Sequence, residues 1–460
     1  MHGVRISEKG EAESALCMTL PAPNSAHMAS AANVSTGRWR WFLVFWLFVL
    51  SAVSFLDRVN ISVAGRSIAS DYHLSDIQLG WVFSAFLWGY ALFQILGGWL
   101  ADALGPRRVL TAGVIWWGLF TALTAAVSPK LTGALMFFIL VRFLLGAGEA
   151  VMFPASNQFV SRWIPTQERG VANGLIFAGV GAGAGSAPAL VTYIVVHYGW
   201  RWSFRLSALV GLLVGFVWYI AARDTPEEHP RISQSELAHI KSERRALART
   251  EETLNPLQQI SWSRIVGSKD VWAVTLSYFC FGYVAWVFFS WFYLYLVKVR
   301  GLNLQASAFY STLPPIAMVA CSLLGGVLND ELTASFGRRV GRCGTAAFAL
   351  FLAAALLVLG SQAASPRLAS LVLASGAGAL YLAQSSYWSV TADISGSRAG
   401  STSGFMNMGA QLGGAVTALL TPVIATHLGW PYSFFIAATL SAGGALLWLV
   451  VNPSRSLTEV

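Results

Sequence analysis

The sequence predicts an all-α membrane protein: twelve transmembrane helices forming two pseudo-symmetric six-helix bundles. Three observations carry this expectation. Of 460 residues, 55% are hydrophobic and only 11% charged, against about 25% charged in an ordinary soluble domain. Apolar runs of about 20 residues, the length a helix needs to cross a bilayer core, recur along the chain. The two halves also echo each other at a nearly constant spacing.

In chain order, residues 1–37 are polar and lack the apolar core of a cleavable signal peptide. They are expected to be a disordered cytoplasmic tail. Six apolar runs then fall at roughly 40–64, 77–101, 107–127, 132–154, 170–196 and 202–222, with ends good to about four residues. They make an N-terminal bundle over 38–222. Six more, at roughly 270–297, 305–329, 340–360, 367–391, 400–424 and 431–451, make a C-terminal bundle over 270–452. Residues 453–460 form a second tail. The polar connection 223–269 is read as a cytoplasmic linker. Within it Ser233 and Glu236 have the spacing of a capping box and open the charged run ELAHIKSERRALAR, a short surface helix.

A net charge of +9 invites a nucleic-acid reading, but the placement of the charges opposes it. The Lys and Arg residues concentrate in alternate connections, the positive-inside pattern. This orients both termini to the cytoplasm and makes the lipid bilayer the partner, with no nucleic acid. Cys17, Cys280, Cys321 and Cys343 lack metal-ligand spacing, so neither a metal nor another cofactor is expected.

The internal repeat rests on three matches. GGWLADALGPRR (97–108) is echoed by GGVLNDELTASFGRR (325–339), RGVANG (169–174) by RAGSTSG (398–404), and GWRWSF (199–204) by GWPYSF (429–434). Gly98 and Gly326, Arg169 and Arg398, and Gly199 and Gly429 stand 228, 229 and 230 positions apart. A duplication of this kind places a central site between the repeats.

The first of these segments, after the second run, resembles the loop signature of the major facilitator superfamily through Gly98, Asp102, Gly105, Arg107 and Arg108. Ala103 departs from it where a basic residue is usual. FLDRVNISVA (55–64), RFLLGAGEAVMFPASN (142–157), WFYLYLVKVRGL (291–302) and GFMNMGAQLGG (404–414) look like the anion:cation symporter family within it. That family includes bacterial sugar-acid carriers. The resemblance spans about residues 38–452 and implies that fold, with transport of a small organic anion driven by protons.

Ionisable groups in apolar runs cost about 2.5–3.5 kcal/mol to insert and are by default functional. Arg58 is always charged and presents a fork that fits a carboxylate, and the resemblance makes it the substrate ligand. The competing reading has it near the outer end of its run, snorkelling or paired only with Asp57. Asp57 and Glu149 are the proton-coupling candidates. Arg142 lies seven residues from Glu149 on nearly the same face, facing the cavity. A constitutive salt bridge with an arginine is the alternative for Glu149. Tyr90, Gln94, Ser385, Trp388, Asn407 and Gln411 are candidate substrate contacts, with packing as the competing role. Val180 stands where sugar-acid members often carry glutamine, which favours a less hydroxylated acid. Asp102, Arg107 and Arg108, with their counterparts Asp330, Arg338 and Arg339, are read as elements of a cytoplasmic gate.

The reading is thus a proton-coupled symporter for a sugar acid such as an aldonate, aldarate or hexuronate, or a related carboxylate. It is expected to act as a monomer in a plasma membrane, the inner membrane if bacterial. An uncoupled facilitator or exporter of aromatic or short organic acids is the alternative. No nucleophile–base pair or metal cluster supports an enzyme, and the seven histidines are scattered.

Overall fold

A computed structural model describes residues 38–241, 261–302 and 304–457. The expected tail 1–37 and residues 242–249 of the charged linker run lie outside them. Every long element among the described residues is a helix.

Seven helices precede the linker: α1 Trp39–Tyr72, α2 Asp76–Leu104, α3 Pro106–Ala126, α4 Ala134–Glu149, α5 Met152–Trp163, α6 Arg169–Tyr198 and α7 Trp200–Ala221. Eight follow it: α8 Lys269–Ser290, α9 Phe292–Lys298, α10 Leu304–Phe336, α11 Thr345–Gln362, α12 Pro366–Leu382, α13 Gln384–Ser395, α14 Ala399–His427 and α15 Trp430–Leu447. These two sets are called the N-half and the C-half below.

Among the described residues, eleven helical stretches are long and apolar enough to cross a membrane. One of them, Pro366–His427, runs to 62 residues. At 1.5 Å per residue it would be about 93 Å long if straight, three times a bilayer core of about 30 Å. A 3-10 turn at Gly396–Arg398 divides it, and the expectation of twelve crossings counts it as two. The outer faces carry unburied Met136, Val196, Leu419 and Leu449. An apolar exterior of this kind is stable only against lipid.

The expected runs match the helices closely in most places, with two kinds of difference. α1 continues to Tyr72, about two turns past the expected end, because its last turns are polar but still helical. The expected run 132–154 is two helices, broken after Glu149 and resumed at Met152. The run 367–391 breaks in the same way between Leu382 and Gln384. Hydropathy does not register such breaks, since the residues at them are as apolar as their neighbours.

The repeat has a structural counterpart at two turns. Gly199, between α6 and α7, and Gly429, between α14 and α15, have φ of +85° and +99°. Only glycine adopts that region at little cost.

Residues near the first and last described positions meet described parts of the linker, Arg40 at Glu236 and Leu457 at Arg264, at one end of the bundle, here the terminal face. Ser233 Oγ accepts the Glu236 N–H at 3.1 Å, as a capping residue should. The fully buried Glu236 carboxylate turns to α1, accepting from Trp39 N at 3.3 Å and Arg40 N at 3.1 Å. These are N–H groups that the first turn of a helix leaves without an intrahelical partner. Arg40 also pairs with Glu168 at 2.9 Å, so the linker is bolted to the beginnings of both α1 and α6.

Candidate functional site

The charged residues of the N-half converge. Ser54 and Arg58 lie one turn apart on α1, and both address Glu149, the last residue of α4. Arg58 Nε donates to Glu149 Oε1 at 2.6 Å, and the Ser54 hydroxyl donates to the same oxygen. A carboxylate at a helix C-terminus opposes the helix dipole, and Arg58 offsets that cost. Arg58 sits near the middle of the 34-residue α1 with its side chain only 9% exposed, not at the outer end. Its guanidinium carbon lies 4.1 Å from the Tyr90 ring centroid and 4.5 Å from that of Phe55, contacts that favour a desolvated cation. Its Nη2 has no hydrogen-bond partner among the described residues.

Arg142 shares the Phe86 ring with Arg58, at 5.0 and 5.5 Å. It is buried, with Nε and Nη1 unpartnered. Asp57 lies one position before Arg58 on α1. It is 3% exposed, and neither carboxylate oxygen has a hydrogen-bond partner. Three residues on, Asn60 bridges α1 to α7, donating to Ser207 Oγ at 3.3 Å and accepting from Ser203 at 2.7 Å.

Between the halves lies a cavity of about 60 Å³, the liquid volume of about two waters. Arg58 and Tyr90 enter it from the N-half, Asn407 and Gln411 from α14. Phe55, Phe153, Phe177 and Phe289 wall it, with Val180 among them. Sequence reasoning missed three of its polar members: Tyr278, Tyr381 and Gln384. Gln384 Nε2 and Trp388 Nε1 both donate to the Tyr278 hydroxyl, at 2.8 and 3.1 Å.

The other candidates lie around the cavity. Gln94 Oε1 accepts from Asn407 Nδ2 at 3.0 Å, joining α2 to α14. Trp388 packs on Phe177 at 4.9 Å and Phe153 at 5.9 Å. Ser385, next to Gln384, is fully buried with its hydroxyl unpartnered.

The gate candidates separate into two groups. Asp102 accepts from Gly400 N at 2.9 Å and Ser401 N at 2.7 Å, and from the Ser401 hydroxyl. Asp330 accepts from Gly170 N at 2.8 Å and Val171 N at 2.6 Å. Each half therefore caps a helix N-terminus of the other, α14 by Asp102 and α6 by Asp330. Backbones approach closely there. A Cβ on Gly98 would stand 2.1 Å from Gly400 O, and one on Gly170 2.7 Å from Gly326 O.

The arginines of the motif serve their own halves. Arg107 N donates to Asp224 at 2.8 Å, and its side chain to Tyr219 O. Arg108 lies 3.5 Å from Asp224. Gly105, with φ +93°, leaves room for that carboxylate, which a Cβ would meet at 2.3 Å. Arg339 reaches Leu449 O at 3.5 Å, and Arg338 is half-buried.

Among the described residues the arginines Arg342 and Arg169 reach across the halves, and sequence reasoning passed over both as gate elements. Fully buried within the π-helical turn Arg339–Gly344, Arg342 pairs with Asp330 at 2.8 Å and Asp393 at 3.2 Å and donates to Thr166 O. Asp393 also takes Arg169 of the N-half at 2.5 Å. The terminal face is thus sealed by both charge and backbone.

The sequence matches the Major Facilitator Superfamily over residues 47–417. A probable sulfoacetate transporter of Cupriavidus necator is 33% identical over 405 residues, 87% of this chain and 91% of that protein. A probable galactarate/D-glucarate transporter of Bacillus subtilis is 27% identical over 428 residues, 90% of this chain and 89% of the relative. Among solved structures, a proton:xylose symporter superposes with a TM-score of 0.72 at 16% identity, covering 91% of this chain and 98% of its own.

Proposed function

The chain belongs to the Major Facilitator Superfamily, and from that premise we propose that it is a proton-coupled symporter importing a small organic anion by alternating access. Members of that superfamily are transporters, and this protein is not an enzyme. The reading takes its substrate class from relatives named for sulfoacetate and for galactarate or glucarate.

One observation carries the proposal: a permanently charged guanidinium, Arg58, faces a central cavity with a donor nitrogen unused. A carboxylate or other small oxyanion entering from the face opposite the termini takes Arg58 Nη2. It then competes with Glu149 for Nε. A buried carboxylate that loses its counter-ion binds a proton rather than remain charged, with Ser54 still in hydrogen-bond reach. Substrate and proton are in this way taken up together. Release of the anion on the other side returns Arg58 to Glu149 and expels the proton. Asp57 is the second proton candidate; one proton with a monoanion is electroneutral.

The caps on α6 and α14 supply the other half of the cycle. They hold the terminal face shut in this conformation and must part for release on that side, which the charge pattern assigns to the cytoplasm. In this scheme the two bundles, 38–222 and 270–452, rock about the central cavity.

The cavity walls favour a short or aromatic acid over a long polyol. Phe and Val180 occupy positions from which hydroxyls would need partners. Uncoupled movement of such acids is the second reading. Counterflow in proteoliposomes, with and without a pH gradient, decides between them. Accumulation that follows the gradient is expected; net uptake indifferent to it would leave only the facilitator.

A further inference from the structure

The lipid-facing side of the N-half carries a groove of about 450 Å³ that the transport cycle does not use. One wall is a stripe of α2, Leu96, Leu100 and Leu104; the other is a stripe of α3, Arg108, Ala112 and Trp116. Gly113, Gly148 and Val151 form the floor. The depth comes from small residues: Ala112 and Gly113 keep α3 thin, and the Trp116 indole fits against Gly148, where a Cβ would meet its Cδ1 at 1.9 Å.

We infer that this groove binds one acyl chain of a phospholipid from the terminal-side leaflet, with the lipid's phosphate at Arg108. Three features argue for that occupant. The groove runs from Leu104 and Arg108, at the helix ends, inward to Phe93 and Trp116. From Phe93 to Leu104 it extends about 16 Å at 1.5 Å per residue, which is half of a hydrocarbon core of about 30 Å and so one leaflet. Its lining is apolar except at the headgroup end, where Arg108 is 73% exposed. Asp224, 3.5 Å from Arg108, is the carboxylate paired with it among the described residues, and a phosphate must share Arg108 with it.

The floor gives the site a consequence. Gly148 and Val151 flank the break between α4 and α5, and Glu149 leaves that break on the opposite side toward Arg58. A chain in the groove buttresses the back of the turn that presents Glu149. This consequence rests on the proposed proton role; the binding of lipid does not.

The test is native mass spectrometry of the detergent-purified full chain, titrated with phosphatidylglycerol or phosphatidylcholine. Wild type is expected to retain one tightly held lipid. Ala112→Phe, which fills the groove, is expected to weaken retention at least tenfold, while Leu419→Phe on a distant lipid-facing surface leaves it unchanged. Arg108→Gln is expected to erase the preference for phosphatidylglycerol. Equal retention by wild type and Ala112→Phe would overturn the proposal. Should Ala112→Phe fail to fold, a phosphatidylglycerol with a photoreactive acyl chain reports on wild type. Crosslinks within 93–116 or 147–151 support the site, and crosslinks confined to other helices refute it. Transport need not be measured, so failure here is separate from failure of the symporter reading.

Discussion

Arg58 Nε and Glu149 Oε1 lie 2.6 Å apart across the packing of α1 against α4. The cavity's principal cation is therefore already neutralised before any anion arrives. An incoming substrate gains only the difference between its own contact with Arg58 and the one it displaces. That favours modest affinity and ties binding to the fate of the Glu149 charge.

Replacing Arg58 with lysine keeps the charge but removes the planar fork and the stacking on Tyr90. Hydrogen bonds to charged groups contribute about 1.5–3 kcal/mol, so uptake at subsaturating substrate is expected to fall roughly 10- to 100-fold. Initial rates in proteoliposomes measure this. Uptake like that of wild type would remove bidentate recognition from the mechanism.

Glu149→Gln mimics the protonated residue and frees Arg58 from its internal partner. Substrate-for-substrate exchange is expected to persist, while accumulation driven by a pH gradient disappears. If the variant still concentrates substrate against its gradient, Glu149 is not the coupling group.

Asp330→Ala removes two hydrogen bonds to the first N–H groups of α6 and one partner of Arg342. At about 1.5–3 kcal/mol for each charged hydrogen bond, the population closed at the terminal face is expected to drop more than tenfold. Asp102→Ala is expected to act in the same direction through α14. Distances between spin labels on the two halves at that face report the shift; an unchanged distribution would deny the caps a gating role.

His229 lies outside the spans, between the rings of Trp39 and Trp163. Its Nε2 lies 3.0 Å from Ala221 O, and its Nδ1 accepts the Arg231 N–H. Burial, with Arg223 and Arg231 adding to it, holds its pKa below the ordinary 6.5, although the Ala221 carbonyl and Glu236 pull the other way. A base held neutral by folding contributes fully above about 6.5 and loses that contribution as the pH falls toward its folded value. Protease cutting of the segment 226–241 is therefore expected to rise on acidification from pH 7.5 to 5.5. In His229→Gln that rise is expected to flatten; an unaltered pH profile would exclude His229 as its source.

The spans were legible because apolar length is a one-dimensional property. Arg58 and Glu149 were legible because a charge in an apolar run has few neutral explanations. Gln384 and Tyr278 were not, since a neutral polar residue in an aromatic-rich helix looks the same whether it lines a cavity or a packing seam. The break before Gln384 also resets the helical phase. One residue is about 100° of rotation, so the expectation at Ser385 falls one position from Gln384, which lines the cavity. Arg342 escaped for a related reason. It follows the motif's Arg338 and Arg339, and the π-helical turn at Arg339–Gly344 alters the direction a regular helix would give it.

Each reciprocal cap draws two of its donors from the main chain, beside the Ser401 hydroxyl at Asp102 and Arg342 at Asp330. Peptide N–H groups survive almost any amino-acid exchange, so the main-chain part of the latch tolerates drift at 171 and 401. Second-site revertants of Asp102 or Asp330 lesions are therefore expected away from 170, 171, 400 and 401, at positions that favour the same state by other means. Proline at 171 or 401 would be the exception that jams it, because it alone takes the hydrogen away.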